Sequence, residues 1–447
     1  MNRYYQILPE KVYNELNTIS DLVKPEVKGF NLDYFKEIIS IIACHVRRDS
    51  GDPPLKNSYL RRLVPFAERY LKALINLEII YRSPYYTPGQ ISYKYNFNPD
   101  YQSKYVTIPL NNTKLIRRIR EAYSEIGKEA ALTIRGCSTQ VKYLKQLSLA
   151  PGWQELVENY KDDTEVYNSV LASAIRIVNN DIFYSRDATE RRFHSNVTNM
   201  KRELRPYLRV NGKPLLNIDI KNSQPYLSTI ILTFPSKIIS LAKNTTFSMT
   251  LQSLKVSHNE DVKKYIKLVA DGQFYEYLIQ EFAREGIKLT RSEAKVQVLR
   301  ILFAPNRLPK NEVNRNCRLI FKKCFPTVHR IFSKVRGRDQ GTKFENSNRF
   351  AILLASIESF LMLDVILKRI YKEHPGVIAI TIHDSIMTGI LTDEVEAVRK
   401  IMIEELNSFV GFSPKIEIED YERYLEKKVR EENSLIQYDV TTFVSCN

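Results

Sequence analysis

The segment Val377-Ile378-Ala379-Ile380-Thr381-Ile382-His383-Asp384-Ser385-Ile386-Met387-Thr388-Gly389-Ile390-Leu391 leaves the chain little conformational choice. Apolar and β-branched residues fill both halves, and only a His-Asp-Ser step separates them. Two strands joined so tightly must close as a β-hairpin. Asp384 then lies at the tip, where it is expected to be exposed. Turns favour Asp for local hydrogen-bonding reasons, so this residue alone is as readily a turn former as a ligand.

A second strand ends on another carboxylate. In Leu215-Leu216-Asn217-Ile218-Asp219-Ile220-Lys221-Asn222-Ser223-Gln224-Pro225-Tyr226-Leu227, the residues Leu216, Ile218 and Ile220 alternate, which predicts a strand with one buried face. Asp219 points to the other face near the strand's end. Asn222 or Ser223 is placed to cap a following helix, with Pro225 in its first turn. The helix continues through Leu227, Ile230 and Ile231. Taken singly, a strand-ending Asp is more often a turn residue than a metal ligand.

Between these two lies a capped helix. Thr290 and Glu293 have capping-box spacing, and Pro305 limits the far end. Arg291, Lys295, Leu299 and Phe303 are four residues apart and share one face. That face is cationic where the helix N-terminus already attracts anions and aromatic at the other end. It suits a triphosphate with a base or sugar against Phe303. An ordinary amphipathic helix has the same pattern.

The composition sets the context. The chain has 447 residues, 43% of them hydrophobic, enough for two or three domains with buried cores. Its 67 Lys and Arg give a formal net charge of +16, which favours a polyanionic partner. The glycine-rich phosphate loops of the GxGxxG and Walker types are absent, so phosphates must be held otherwise. Five widely spaced cysteines without a CxxC pair read neither as a disulfide framework nor as a zinc ribbon; Cys317 and Cys324 read as helix packing. No run of about 18 apolar residues stands out, so no membrane-spanning helix and no membrane partner is expected. The start, Met1-Asn2-Arg3-Tyr4-Tyr5-Gln6, lacks the apolar core of a signal peptide, and a cytoplasmic location is expected.

Three regions are expected. In residues 1–110, helices over 31–47 and 57–77 precede a strand at 92–97 and a Pro88-Gly89 turn. This order is winged-helix-like and fits nucleic-acid binding; a small helical domain with a hairpin lid fits equally. Residues 111–210 read as a helical thumb-like or linking region ending in basic stretches around Arg191-Arg192-Phe193 and Lys201-Arg202. These stretches would track a phosphate backbone or form a solvated linker. Residues 211–447 carry the three motifs.

In their order, these motifs resemble the palm and fingers of family A DNA polymerases and of single-subunit phage-type RNA polymerases. Asp219 matches the Asp at a strand end before a helix. Arg291, Lys295, Leu299 and Phe303-Ala304 match the spacing of the fingers helix, with Phe-Ala in place of Tyr-Gly. His383-Asp384 matches the His-Asp after an apolar strand, and Ser385 and Thr290-Arg291-Ser292 look like the RNA polymerase versions. Glu358 lies in a stretch placed like a further helix of the family, and Arg191 and Arg192 like an upstream Arg-containing motif. The resemblance covers about 190–420, roughly half the chain.

The resemblance implies an α+β fold: a right-hand palm with an antiparallel sheet, helical fingers at about 235–345, and a mainly helical N-terminal part. It implies a template-directed nucleotidyltransferase whose partners are a nucleic-acid template, DNA before RNA, and nucleoside triphosphates. Asp219 and Asp384 would hold two Mg²⁺ ions, or Mn²⁺. Arg291 and Lys295 would bind phosphates, and Lys295 would also protonate pyrophosphate. Phe303, Ser223 and Gln224 would line the nucleotide, while His383, Arg191, Arg192 and Glu358 would contact primer or template. The motif wording favours RNA synthesis. Two sugar-sensing positions point away from it: Gln224 is neither the Glu of the DNA enzymes nor the small residue of the RNA enzymes, and Phe303 lacks the Tyr hydroxyl. A two-metal nuclease, a non-catalytic DNA-binding or replication-initiation protein, and an untemplated nucleotidyltransferase are the rival readings.

Overall fold

The computed structural model describes residues 3–45, 57–83, 93–131, 137–187, 189–242, 245–255, 259–337, 348–421 and 423–424. The chain divides into two units. The first takes residues 1–135, 141–185 and 194–214; the second takes 136–140, 186–193 and 215–447. The expected linking region 111–210 is therefore shared out between them rather than standing alone.

In the first unit, strand Tyr4–Pro9 pairs antiparallel with Tyr105–Leu110, Tyr4 opposite Leu110. Helices Leu32–His45 and Thr164–Asn179 pack against the first of these strands. The helix expected over 57–77 is two helices, Asn57–Leu63 and Ala67–Asn76. Pro65 between them cannot donate to the helix ladder, and Phe66 turns left-handed at φ 55°. Strands Ile80–Arg82 and Tyr95–Phe97 pair antiparallel; the Pro88-Gly89 turn lies outside the described residues. Under the N-terminal strand sits a buried polar cluster. Tyr4 donates to Asp181 at 2.9 Å, Gln6 donates to Glu37 at 2.8 Å, and Ser40 accepts from the Ile7 amide at 3.0 Å. Burial, with the nearby Asp181 charge, pushes the Glu37 carboxyl up to about 8 against the Gln6 hydrogen bond.

The second unit is built on an antiparallel sheet. Strand Lys213–Ile220 enters this unit at Leu215 and pairs with Ser385–Gly389 on one side and Ile416–Glu419 on the other. Ala379–Ile382 pairs with Ser385–Gly389 as the expected hairpin. Leu216, Ile218 and Ile220 are buried as their alternation predicts. Leu215 and Asn217 are buried too, because the strand is an inner one, and the strand opens to solvent only partly at Asp219.

Helices Glu260–Ala270, Phe274–Arg284, Arg291–Phe303, Glu312–Cys324 and Pro326–Val335 surround an aromatic core. Tyr265 meets Phe274 edge-on at 5.0 Å and Phe325 at 5.5 Å. Two buried arginines serve the end of the Arg291–Phe303 helix, whose last carbonyls have no helical partner. Arg318 donates to the Ala304, Pro305 and Arg307 carbonyls, and Arg336 to those of Ile301 and Leu302.

One helix is more apolar than the sequence reading singled out. The helical run Arg349–Glu373 is long and apolar enough to cross a membrane. Most of it is buried within the unit as a core helix, with a widened π segment at Phe360–Ile366.

Candidate active site

Asp219 is positioned by register. Cross-strand partners in an antiparallel pair point to the same face. Asp219 is opposite Ser385 on one neighbour and Glu417 on the other. Asp384, one residue before Ser385, thus lies beside the end of the central strand. Asn217 and Lys221, two residues either way, share the Asp219 face, as does Glu419 opposite Asn217.

This face is charged on both sides of the balance. Lys221 pairs with Glu417 at 3.1 Å, and Asn217 donates to Glu419 at 3.3 Å. The Asp219 carboxyl is held well above the usual carboxylate range. Burial is the largest cause, followed by the charges of Asp384 and Glu419; Lys295 opposes the shift and Glu417 adds to it. Among the described residues, no three His, Cys, Asp or Glu side chains already converge as a metal site.

The hairpin tip differs from its expectation. Ile382 pairs with Ser385, leaving a two-residue turn of His383 and Asp384, with His383 left-handed at φ 55°. Both are half-buried, not exposed. The tip is packed into a charged neighbourhood, and the Asp384 charge is felt by Asp219 and Glu358 alike. Gln140 braces the hairpin, accepting from the Thr381 amide at 2.6 Å and its hydroxyl at 2.7 Å.

The Arg291–Phe303 helix begins with the predicted capping box of Thr290 and Glu293. Arg291 and Lys295 are exposed, while Leu299 and Phe303 are half-buried. Arg291 is paired with Glu276 at 3.0 Å and lies over the Tyr275 ring. Lys295 is the cation of this face that acts on Asp219. Phe303 meets Phe350 edge-on at 5.9 Å, so part of its ring is already engaged.

Glu358, Arg192 and Gln224 come together, a grouping their sequence positions do not reveal. Glu358 is 3% exposed. It accepts from Gln224 at 2.6 Å and faces Arg192 at 3.0 Å. Burial and the Asp384 charge push its carboxyl up to about 8 against these two partners. Arg192 also reaches Glu190 at 3.2 Å. Arg191 is exposed and left-handed, its carbonyl accepting from Arg186 and Ser359. Ser223 is buried at the start of helix Ser223–Ser228. Asn222 does not cap that helix with its side chain; it is left-handed at φ 58°, and both ends of its buried amide lack a partner.

Glu417 and Glu419 escape a reading by motif. The one available signal is the alternation Ile416-Glu417-Ile418-Glu419, a short strand with an acidic face.

No protein-family model and no curated protein matches the chain. Among solved structures it is similar to the POL domain of Pol1 from M. smegmatis in complex with DNA primer-template and dNTP. The identity is 12% and the TM-score 0.30, over 68% of this chain and 65% of that one. The chain thus spans less than two thirds of the length of that structure.

Proposed function

We propose that the chain is a template-directed nucleic-acid polymerase that joins nucleoside triphosphates by two-metal phosphoryl transfer. One observation carries the reading. Asp219 stands opposite Ser385 at the end of an inner strand, Asp384 is the residue before Ser385 in the hairpin turn, and the charges of Asp384 and of Lys295 on a capped helix both act on the Asp219 carboxyl.

The donors present fit divalent cations. All are oxygens, which suits Mg²⁺ or Mn²⁺. Burial, and after it the charges of Asp384 and Glu419, raise the Asp219 carboxyl, and a bound cation relieves such crowding. Asp219 and Asp384 would hold the ions. When bound, the ions supply activation of the attacking hydroxyl and neutralisation of phosphate charge.

The chain's own residues do the positioning. Lys295 neutralises phosphate and donates a proton to departing pyrophosphate. Arg291 joins it by exchanging Glu276 for a phosphate oxygen, a swap of one charge-assisted bond for another. Ser223 and Gln224 line the sugar, and Glu358 holds Gln224 in place. The free part of the Phe303 ring faces base or sugar. His383, Arg191 and Arg192 meet primer and template. Ribonucleotides are the favoured substrates, and DNA the favoured template.

Primer extension tests this. Purified protein with Mg²⁺ and a primer–template is given all four NTPs or all four dNTPs, beside Asp219→Ala and Asp384→Ala variants. Template-matched extension that falls by at least ~10²–10³-fold in each variant is expected. Tight nucleic-acid binding with no extension from either nucleotide set would instead favour the binding-protein reading.

A further inference from the structure

We propose that Lys221 and Lys415 form a cradle for the end of a polyphosphate chain, the tail of a nucleoside triphosphate or the pyrophosphate released from it. The proposal deepens the polymerase reading and rests on Arg291 holding that tail.

The two lysines are opposed across two strands. Ile220 stands opposite Ile416, and the Lys221 amide donates to the Lys415 carbonyl at 2.9 Å, so the pairing runs one step further. Three cross-strand pairs then fill one face: Asn217 with Glu419, Asp219 with Glu417, and Lys221 with Lys415. The first two add only negative charge and the third only positive. Like charges directly opposite each other destabilise a strand pair, so the third pair has a cost that an anion relieves.

The cradle is built rather than loosely solvated. Both stems lie against Gly272, in the loop between helices Glu260–Ala270 and Phe274–Arg284. This residue is left-handed at φ 69°, and a Cβ on it would lie 2.9 Å from the Cδ of each lysine. Only glycine leaves room for both. The Lys221 side chain is 15% exposed and meets Glu417 at 3.1 Å. Lys415 is exposed, and among the described residues no side chain pairs with it.

The surroundings select the occupant. The Lys221 charge acts on Glu276, the partner of Arg291, so the cradle borders the face read as holding phosphate. A backbone phosphodiester carries a single negative charge. A terminal phosphate carries about −1.5 to −2 near pH 7 and suits two ammoniums.

The test is binding of inorganic tripolyphosphate to the full-length chain by calorimetry, in EDTA and at low salt, where ionic contacts are least screened. Lys415→Gln is expected to weaken it about three- to tenfold. Glu417→Gln frees Lys221 and removes a repelling charge, and is expected to strengthen it about threefold. Lys372→Gln removes an equal charge from the exposed end of helix Leu367–Glu373 and is expected to leave it within about twofold. No binding by wild type, or unchanged affinity in Lys415→Gln, overturns the proposal. So does an equal loss in Lys372→Gln, which would be an effect of net charge, or an equal loss of duplex DNA affinity in Lys415→Gln, which would make the pair a general phosphate surface. If Lys415→Gln does not fold, Glu417→Gln decides, and unchanged or weaker binding in it overturns the cradle. Primer extension is run in parallel. Extension by wild type with Lys415-independent tripolyphosphate binding sinks this site alone. Absent extension with Lys415-dependent binding sinks the polymerase reading and leaves the polyphosphate site standing.

Discussion

Two buried glutamates, one in each unit, have nearly the same immediate surroundings and different meanings. Glu37 is 4% exposed and Glu358 3% exposed. Each accepts a hydrogen bond from a glutamine, Gln6 at 2.8 Å and Gln224 at 2.6 Å. Each carboxyl is pushed up to about 8, chiefly by burial. The difference lies one layer out. Glu37 has no cation among the causes acting on it and sits in a polar cluster with Tyr4, Asn179 and Asp181. Glu358 has Arg192 against it, and the Asp384 charge opposes that help. A buried, shifted carboxyl therefore does not mark a site by itself. What distinguishes Glu358 is coupling to charges that reach a partly open surface.

The sharpest way to break this comparison is to remove the cation. Arg192→Ala leaves Glu358 buried beside Asp384 with only Gln224. With its carboxyl already raised to about 8, Glu358 answers the loss of Arg192 by keeping its proton, so a cost of about 1 kcal/mol near neutral pH that grows as pH rises above about 8 is expected in chemical denaturation. Adding Glu358→Gln, which keeps an acceptor for Gln224, recovers most of the loss. If the single and double variants are equally unstable, the Arg192 contact is not an electrostatic one.

Glu37 sets the opposite expectation. Its carboxyl is raised in the fold, so the folded state holds a proton that the unfolded chain has lost. Its contribution is fully present below about 4.5 and is lost as pH rises towards about 8. Glu37→Gln removes that loss. The variant and wild type match at pH 4, and the variant gains roughly 2–4 kcal/mol by pH 8. Asp181 loses its own contribution between its ordinary value and about 6 in both proteins, so it largely cancels in the difference. A stability difference that does not grow across this range means Glu37 is ionised in the fold. Primer extension is expected to be unaffected.

The same contrast shows what a sequence can display. The hairpin, the alternating strand before Asp219 and the capped helix with Arg291 and Lys295 on one face were all legible, because each depends on residues a few positions apart. Glu419 was not, since its place beside Asn217 is a strand pairing across some two hundred positions. Glu358, Arg192 and Gln224 were each picked out, but as separate contacts. Their mutual grip arises only when 186–193 packs into the second unit. Helical spacing leaves Phe303 open to a base or sugar, and Phe350, from a different helix, takes part of its ring. Tertiary pairing made each of these, and local spacing does not encode it.

The smallest expected effect tests whether the Glu37 cluster is purely structural. Tyr4→Phe deletes the hydroxyl that donates to Asp181 at 2.9 Å and changes little else in shape. Asp181 keeps Asn179 at 3.3 Å, so it is not left bare. One hydrogen bond to a carboxyl is worth about 1–2 kcal/mol net. That hydrogen bond also lowers the Asp181 carboxyl, so its loss lets burial push the group further up. The cost of Tyr4→Phe is therefore largest where Asp181 is ionised, above about 6, and shrinks as pH falls towards 4. Denaturation at pH 4 and pH 8 reads this directly. A cost that is equal at both ends would mean the hydroxyl matters for packing rather than for the charge on Asp181. A change in Mn²⁺ affinity with it would mean the first unit is coupled to the Asp219 face, and the two glutamates would then no longer be separate cases.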